Sequence, residues 1–142
     1  MKRLILFELL VLFLATTFES DSPPGWFQQT IPVSGVINDI FFLDSLTGWV
    51  CTAGASSGSD TGYVMKTTNS GNNWIIQYNP IMTFTSIQFL DVNTGYTSGG
   101  SGLSRIFKTT DGGANWNDIG AVLGLGTLEG MFFCEHKYWV GL

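Results

Sequence analysis

The sequence predicts an all-β fold of repeated four-stranded antiparallel sheets, and three observations predict it. From residue 25 onward, short runs rich in Val, Ile, Thr, Phe, Tyr and Trp alternate with clusters of Gly, Asn, Asp and Ser, and no stretch keeps a helical period. The composition agrees: of 142 residues only 12% are charged, 14% are aromatic and 18 are glycine. The chain also repeats itself. Thr67-Thr68-Asn69-Ser70-Gly71-Asn72-Asn73-Trp74 matches Thr109-Thr110-Asp111-Gly112-Gly113-Ala114-Asn115-Trp116 at a separation of 42. Ile40-Phe41-Phe42-Leu43-Asp44 with Gly48-Trp49 matches Ile87-Gln88-Phe89-Leu90-Asp91 with Gly95-Tyr96 at 47, and Met131-Phe132-Phe133-Cys134-Glu135 follows 44 later. Periods of about 40 to 50 residues built from short strands are those of β-propeller blades.

The strands follow in order. In the first unit, residues 36–79, they fall near Asn38 to Leu43, Trp49 to Gly54, Tyr63 to Thr68 and Asn73 to Asn79. In the second, residues 84–119, they fall near Thr85 to Leu90, Tyr96 to Gly99, Leu103 to Thr109 and Asn115 to Ile119. A third unit starts at 127–142 with strands near Leu128 to Cys134 and Tyr138 to Gly141. Ahead of them, Gly25 to Thr30 resembles a lone fourth strand, with Trp26 standing 48 before Trp74. Such a strand is expected to complete the last blade of a ring. Rings generally need four to eight blades, so the chain is expected to be a truncated stretch of a longer propeller, open to self-association through the edges at Trp26 and at Tyr138 to Gly141.

Residues 1–20 read as an address. Lys2 and Arg3 precede an apolar run, Leu4 to Ala15, broken only by Glu8, and Ala15 and Thr17 offer a small-residue cleavage site. Twelve residues, eleven of them apolar, are too few to span a bilayer, so a secretory signal peptide is expected, with the mature protein secreted, periplasmic or at the cell surface and holding no stable membrane span. Acids outnumber bases 11 to 6, for a net charge of −5, with no basic cluster beyond the leader. Nucleic acid is therefore not an expected partner. An oxidising compartment would permit Cys51 and Cys134 to pair, but their placement on non-adjacent units reads better as two small buried hydrophobes.

The repeated motif is Ser/Thr-x-Asp/Asn-x-Gly-x-x-Trp, met at Thr67, Asn69, Gly71 and Trp74 and again at Thr109, Asp111, Gly113 and Trp116. In a hairpin, the short polar side chain accepts hydrogen bonds from the turn's amides, the glycine takes positive φ, the Thr hydroxyl adds a local bond and the indole buries between blades. The motif reads as a folding device. Each copy offers at most one carboxylate, too few for calcium.

On these residues the chain resembles the Asp-box, or bacterial neuraminidase repeat, propeller superfamily over residues 25–142, particularly the photosystem II stability/assembly factor-like exported proteins. The resemblance implies blades stapled by Asp-box turns. It does not fix function, because sialidases, xyloglucan-cleaving hydrolases, sorting receptors and non-catalytic scaffolds share the motif. Sialidases of this fold hold a substrate carboxylate with three arginines, whereas this chain has only Arg105 after Arg3.

Asp44, Asp91 and Glu135 recur between the first and second strands of their units and read as turn caps. Alternating strand direction sends the repeated turns to one end of the blades and the variable connections, 53–61, 79–84 and 120–127, to the other. Asp39, Asp60, Tyr78 and Asp118 gather toward that variable end and are the candidate ligand residues. His136 is the single histidine and has no ligand-spaced partner, so neither a metal, a cofactor nor a nucleophile-histidine pair is expected. The function expected is an exported, non-catalytic scaffold binding protein or glycan. The alternative is a piece of a glycoside hydrolase whose catalytic groups lie in other blades.

Overall fold

The computed structural model describes residues 25, 27–54, 61–121, 128, 130–134 and 137–141. Ten strands follow in chain order: β1 (Ile37–Phe42), β2 (Gly48–Thr52), β3 (Val64–Thr67), β4 (Ile75–Tyr78), β5 (Thr83–Phe89), β6 (Gly95–Gly100), β7 (Arg105–Thr109), β8 (Asn117–Ala121), β9 (Gly130–Cys134) and β10 (Lys137–Gly141). They form two four-stranded antiparallel meanders, β1-β2-β3-β4 and β5-β6-β7-β8, and a hairpin of β9 with β10. These are blades of a β-propeller: two complete ones, and a hairpin whose strand β9 lies against β5. The signal peptide expected at residues 1–20 lies outside the described residues, as do Trp26, Asp60, Glu135 and His136.

Sequence position decides which faces are covered. Every residue of β2, Gly-Trp-Val-Cys-Thr, is buried, because a second strand sits on each side and apolar residues pack against both faces. In β1, by contrast, Asp39 and Phe41 turn toward the second blade while Ile40 and Phe42 turn away from it into solvent. Between the blades lies the main core of Trp49, Cys51, Val64, Phe84, Ile87, Phe89 and Phe107. Trp49 stacks on Phe89 with ring centroids 3.6 Å apart. The two blades are copies down to their irregularities: the register shifts at Ile37/Asp39 and Val64/Met65 recur at Phe84/Ser86 and Ile106/Phe107.

Two expectations change. Residues 27–30 do not form a strand. A strand needs a neighbour to complete its ladder, and among the described residues none runs beside this segment. It still docks where a preceding blade's outer strand would: Ile31 and Val33 pack on Val50, Met65 and Trp74, and Gln29 reaches Gly71. The second change concerns the indoles. Trp116 does sit between the blades, stacked on Tyr78 and edge-on to Phe89. Trp74 sits instead on the opposite face of the first blade, edge-on to Phe42 and covered by that N-terminal segment.

Cys51 is a buried free thiol, and burial first, then the charge of Asp39, pushes it far above the ordinary thiol range. The side chain of Cys134 lies outside the described residues.

Candidate functional site

The two copies of the repeated turn match bond for bond. Thr67 Oγ1 accepts the amides of Gly71 at 2.9 Å and Asn69 at 3.3 Å, and Thr109 Oγ1 accepts those of Gly113 at 2.9 Å and Asp111 at 3.3 Å. Each hydroxyl then donates to the Asx oxygen, at 3.0 Å to Asn69 Oδ1 and 2.8 Å to Asp111 Oδ1, and that same oxygen accepts the amide of Asn73 or Asn115 at 2.9 Å. The Thr hydroxyl therefore takes more of the turn's amides than the Asx side chain does. The backbone follows: φ is positive at Ser70 (61°) and Gly71 (82°), and at Gly112 (71°) and Gly113 (96°). Consecutive positive φ values are costly for side-chain-bearing residues and mild for glycine.

One difference separates the copies. Asp111 has a second oxygen, which accepts Asn115 Nδ2 at 2.8 Å; Asn69 has an amide nitrogen there. The Asn115 amide is also the leading reason that the Asp111 carboxyl lies below its usual range. Asp44 and Asp91 cap the other repeated turn as expected, each accepting two backbone amides, and those amides depress both carboxyls. The two kinds of turn meet at one end of the blades, through Ser70 N–H to Leu46 O at 2.9 Å and Gly112 N–H to Asn93 O at 2.8 Å. The variable connections meet at the other end, where Gly62 N–H reaches Met82 O at 2.6 Å.

At the variable end the candidate residues are engaged within the protein. Asp39 Oδ2 accepts the Ser86 hydroxyl at 2.8 Å and the Ile87 amide at 2.9 Å, while Oδ1 accepts the Ile40 amide at 2.8 Å. Ser86 Oγ in turn accepts the amide of Met131 at 3.3 Å. The innermost strands of three successive units are thus linked in a row. Asp118 pairs with Arg105 and accepts the Gly120 amide at 2.9 Å; the Arg105 hydrogen bond depresses its carboxyl. Tyr78 belongs to the aromatic cluster of Phe84, Phe107 and Trp116, and burial, with Asp118 nearby, raises its phenol. The structure therefore brings Tyr78 and Asp118 together, while Asp39 docks the first blade on the second.

The pins between blades went unread in the sequence. Trp49 Nε1 donates to Gly112 O at 3.1 Å, and Lys66 Nζ, lying 4.9 Å above the Trp49 ring, donates to the same carbonyl at 3.3 Å. Gln77 Oε1 is buried with no hydrogen bond, against Gly113, where an added Cβ would stand 2.6 Å from it. Gln29 meets Gly71 in the same manner, at 3.1 Å. A signal existed: Trp-x-x-Gln occurs at Trp26 to Gln29 and at Trp74 to Gln77, and a lysine stands one residue before the Thr pair of each repeated turn, at Lys66 and Lys108.

Beside these pins lies a groove of about 460 Å³ lined by Lys66, Thr68, Asn69, Asn73, Ile75 and Gln77. Among the described residues no three His, Cys, Asp or Glu side chains gather as a metal site, and no helix is long and apolar enough to cross a membrane.

The architecture defines the class: a β-propeller. No family model matches the chain, and no curated protein matches it. Among solved structures it is similar to YCF48 bound to D1 peptide, with 26% identity and a TM-score of 0.56 over 71% of this chain. The match spans 32% of that structure's chain, about a third of its length.

Proposed function

We propose that the chain is an exported, non-catalytic propeller scaffold that binds a polypeptide partner, with residues 1–20 as its signal peptide and 25–142 as an Asp-box propeller segment akin to photosystem assembly factors. The observation that carries the reading is the likeness to YCF48, a protein solved with a peptide bound. The paired turns support the Asp-box part, since Thr, Asx and Gly act there as that motif requires. The engaged charges support the non-catalytic part. Arg105 and Asp118 neutralise each other, and Asp39 is spent on docking blades, so neither pairs with a second acid in the way hydrolysis of a glycoside needs.

A second element is self-association through the first blade's outward face. Ile40 and Phe42 are 53% and 41% exposed there, where their repeat counterparts Ile87 and Phe89, covered by that blade, are 2% each. Exposed apolar patches of this kind mark interaction surfaces. A random peptide library displayed against the purified chain, run beside a glycan array and a panel of fluorogenic glycosides, tests the reading. Selected peptides with no glycoside turnover are expected; turnover, or glycans bound in place of peptides, overturns it. Sedimentation over a concentration series tests the association.

A further inference from the structure

We infer that the groove on the first blade binds an extended peptide through an acidic side chain seated on Lys66. The inference deepens the peptide-scaffold reading above and rests on it.

The lining is rich in donors. Lys66 is half-buried, and among the described residues no carboxylate lies within ion-pair distance of it; its contacts are the Gly112 carbonyl and the Trp49 ring. Asn69 Oδ1 is occupied by the Thr67 hydroxyl and the Asn73 amide, which leaves its Nδ2 for the groove. Gln77 has its carbonyl turned in against Gly113, leaving the amide nitrogen as its outer end. Thr68 and Asn73 are exposed and add a hydroxyl and a further amide. A cation ringed by amide and hydroxyl donors is complementary to a carboxylate. The net charge of −5 does not forbid this, because charges beyond about 8–10 Å are screened at physiological salt.

The shape selects a peptide over a sugar. The groove lies on the face of β3 and β4, where Lys66 and Ile75 are cross-strand partners, and follows the outermost strand of its sheet, so an extended chain can be laid along it. Ile75, 66% exposed, supplies an apolar contact, and no exposed aromatic ring lines the groove as a stacking platform for a sugar.

The repeat supplies the independent argument. In the second blade the corresponding positions hold Asp111 for Asn69, Asn117 for Ile75 and Ile119 for Gln77. There the turn holds a carboxylate of the protein's own, whose second oxygen ties up the Asn115 amide. The first blade departs from its copy at the residues that would leave the site open.

Asn69→Asp tests this, because it rebuilds the second blade's turn in the first. Three labelled peptides alternating threonine with glutamate, glutamine or lysine are titrated by fluorescence anisotropy into the full chain. The glutamate peptide is expected to bind best, and Asn69→Asp to weaken it by at least about tenfold while leaving the thermal midpoint unchanged or raised. Asn73→Ala, which keeps the backbone amide that closes the turn, is expected to weaken it also. Equal binding of the three peptides, or full binding to Asn69→Asp, overturns the inference. If library-selected peptides bind Asn69→Asp as well as the parent chain, the scaffold reading stands and this site falls. If the library selects nothing and the glutamate peptide does not bind, both fall.

Discussion

Ser86 donates its hydroxyl proton to Asp39 at 2.8 Å across 47 residues of sequence, and the carboxylate oxygen that receives it also accepts the Ile87 amide. The contact joins the innermost strands of two blades. Removing the carboxylate leaves the Ser86 hydroxyl and the Ile87 amide without that acceptor, and hydrogen bonds to a charged group are worth about 1.5–3 kcal/mol each. Asp39→Ala is therefore expected to lower unfolding free energy by about 2–4 kcal/mol, and Asp39→Asn by less, in urea titrations followed by tryptophan fluorescence. An effect of Asp39→Ala within error of zero would refute the docking role.

The Thr hydroxyls of the repeated turns make a sharper test of the local physics. Thr109 is fully buried, and its Oγ1 accepts two amides. Thr109→Val keeps the shape and strands the Gly113 amide, an expected loss of about 1–3 kcal/mol. Thr109→Ser keeps the oxygen and should recover most of it. Failure of serine to rescue would show that the methyl group, not the hydroxyl, matters.

Trp49→Phe removes the indole N–H to Gly112 O and shrinks a fully buried ring, while an aromatic ring still faces Phe89. A cost of about 2–3 kcal/mol is expected, the lost hydrogen bond and the cavity together. Pairing it with Lys66→Met in a double-mutant cycle should give a coupling clearly different from zero, since both residues donate to one carbonyl.

Gly113→Ala confronts two obstacles, a φ of 96° and a Cβ only 2.6 Å from Gln77 Oε1. The first cannot be relieved from outside the residue; the second can. Gly113→Ala is expected to destabilise by at least about 1–2 kcal/mol, and adding Gln77→Ala to return part of that loss. Additive losses in the double variant would remove Gln77 as the steric partner.

Acid should loosen the turns in a defined window. Asp44, Asp91 and Asp111 all have carboxyls held below the ordinary aspartate value of 3.8 by hydrogen bonds. A depressed folded-state pKa means stability that is whole above the unfolded-state value and is lost as pH falls through the folded one. Thermal midpoints are thus expected to hold level down to about pH 4 and to fall below it. Asp111→Asn, which copies Asn69, should flatten that fall.

Much of this molecule could be read in advance, and the reason is repetition. The aromatic and glycine spacing located the strands to within a few residues, because a period seen twice fixes faces and turns together. Asp44 and Asp91 were legible as caps for the same reason: a short acid two residues before an exposed amide has one local job. The contacts between blades were not legible. Asp39 looked like a solvent-facing acid near a variable loop, since its partner Ser86 is remote in sequence and local pattern carries no information about what stands across an interface. Trp74 and Trp116 looked alike and are alike within their blades; they differ only in what lies opposite. The groove escaped notice because its character comes from small departures, an amide for an acid and a glutamine for an isoleucine, that matter only once Lys66 is seen beside them.

Among the described residues, these side-chain contacts between units reach the same way along the polypeptide: Asp39 to Ile87, Ser86 to Met131, Trp49 and Lys66 to Gly112, and Gln77 against Gly113. The first blade carries its side chains on the flank that faces the second, and the second carries Ser86 on the flank that faces the hairpin, while Tyr96 and Ile119 stand where Trp49 and Gln77 would be. A module copied by gene duplication would bring its own outgoing side chains with it, so an arc can lengthen by copying while each seam keeps its own set of fittings.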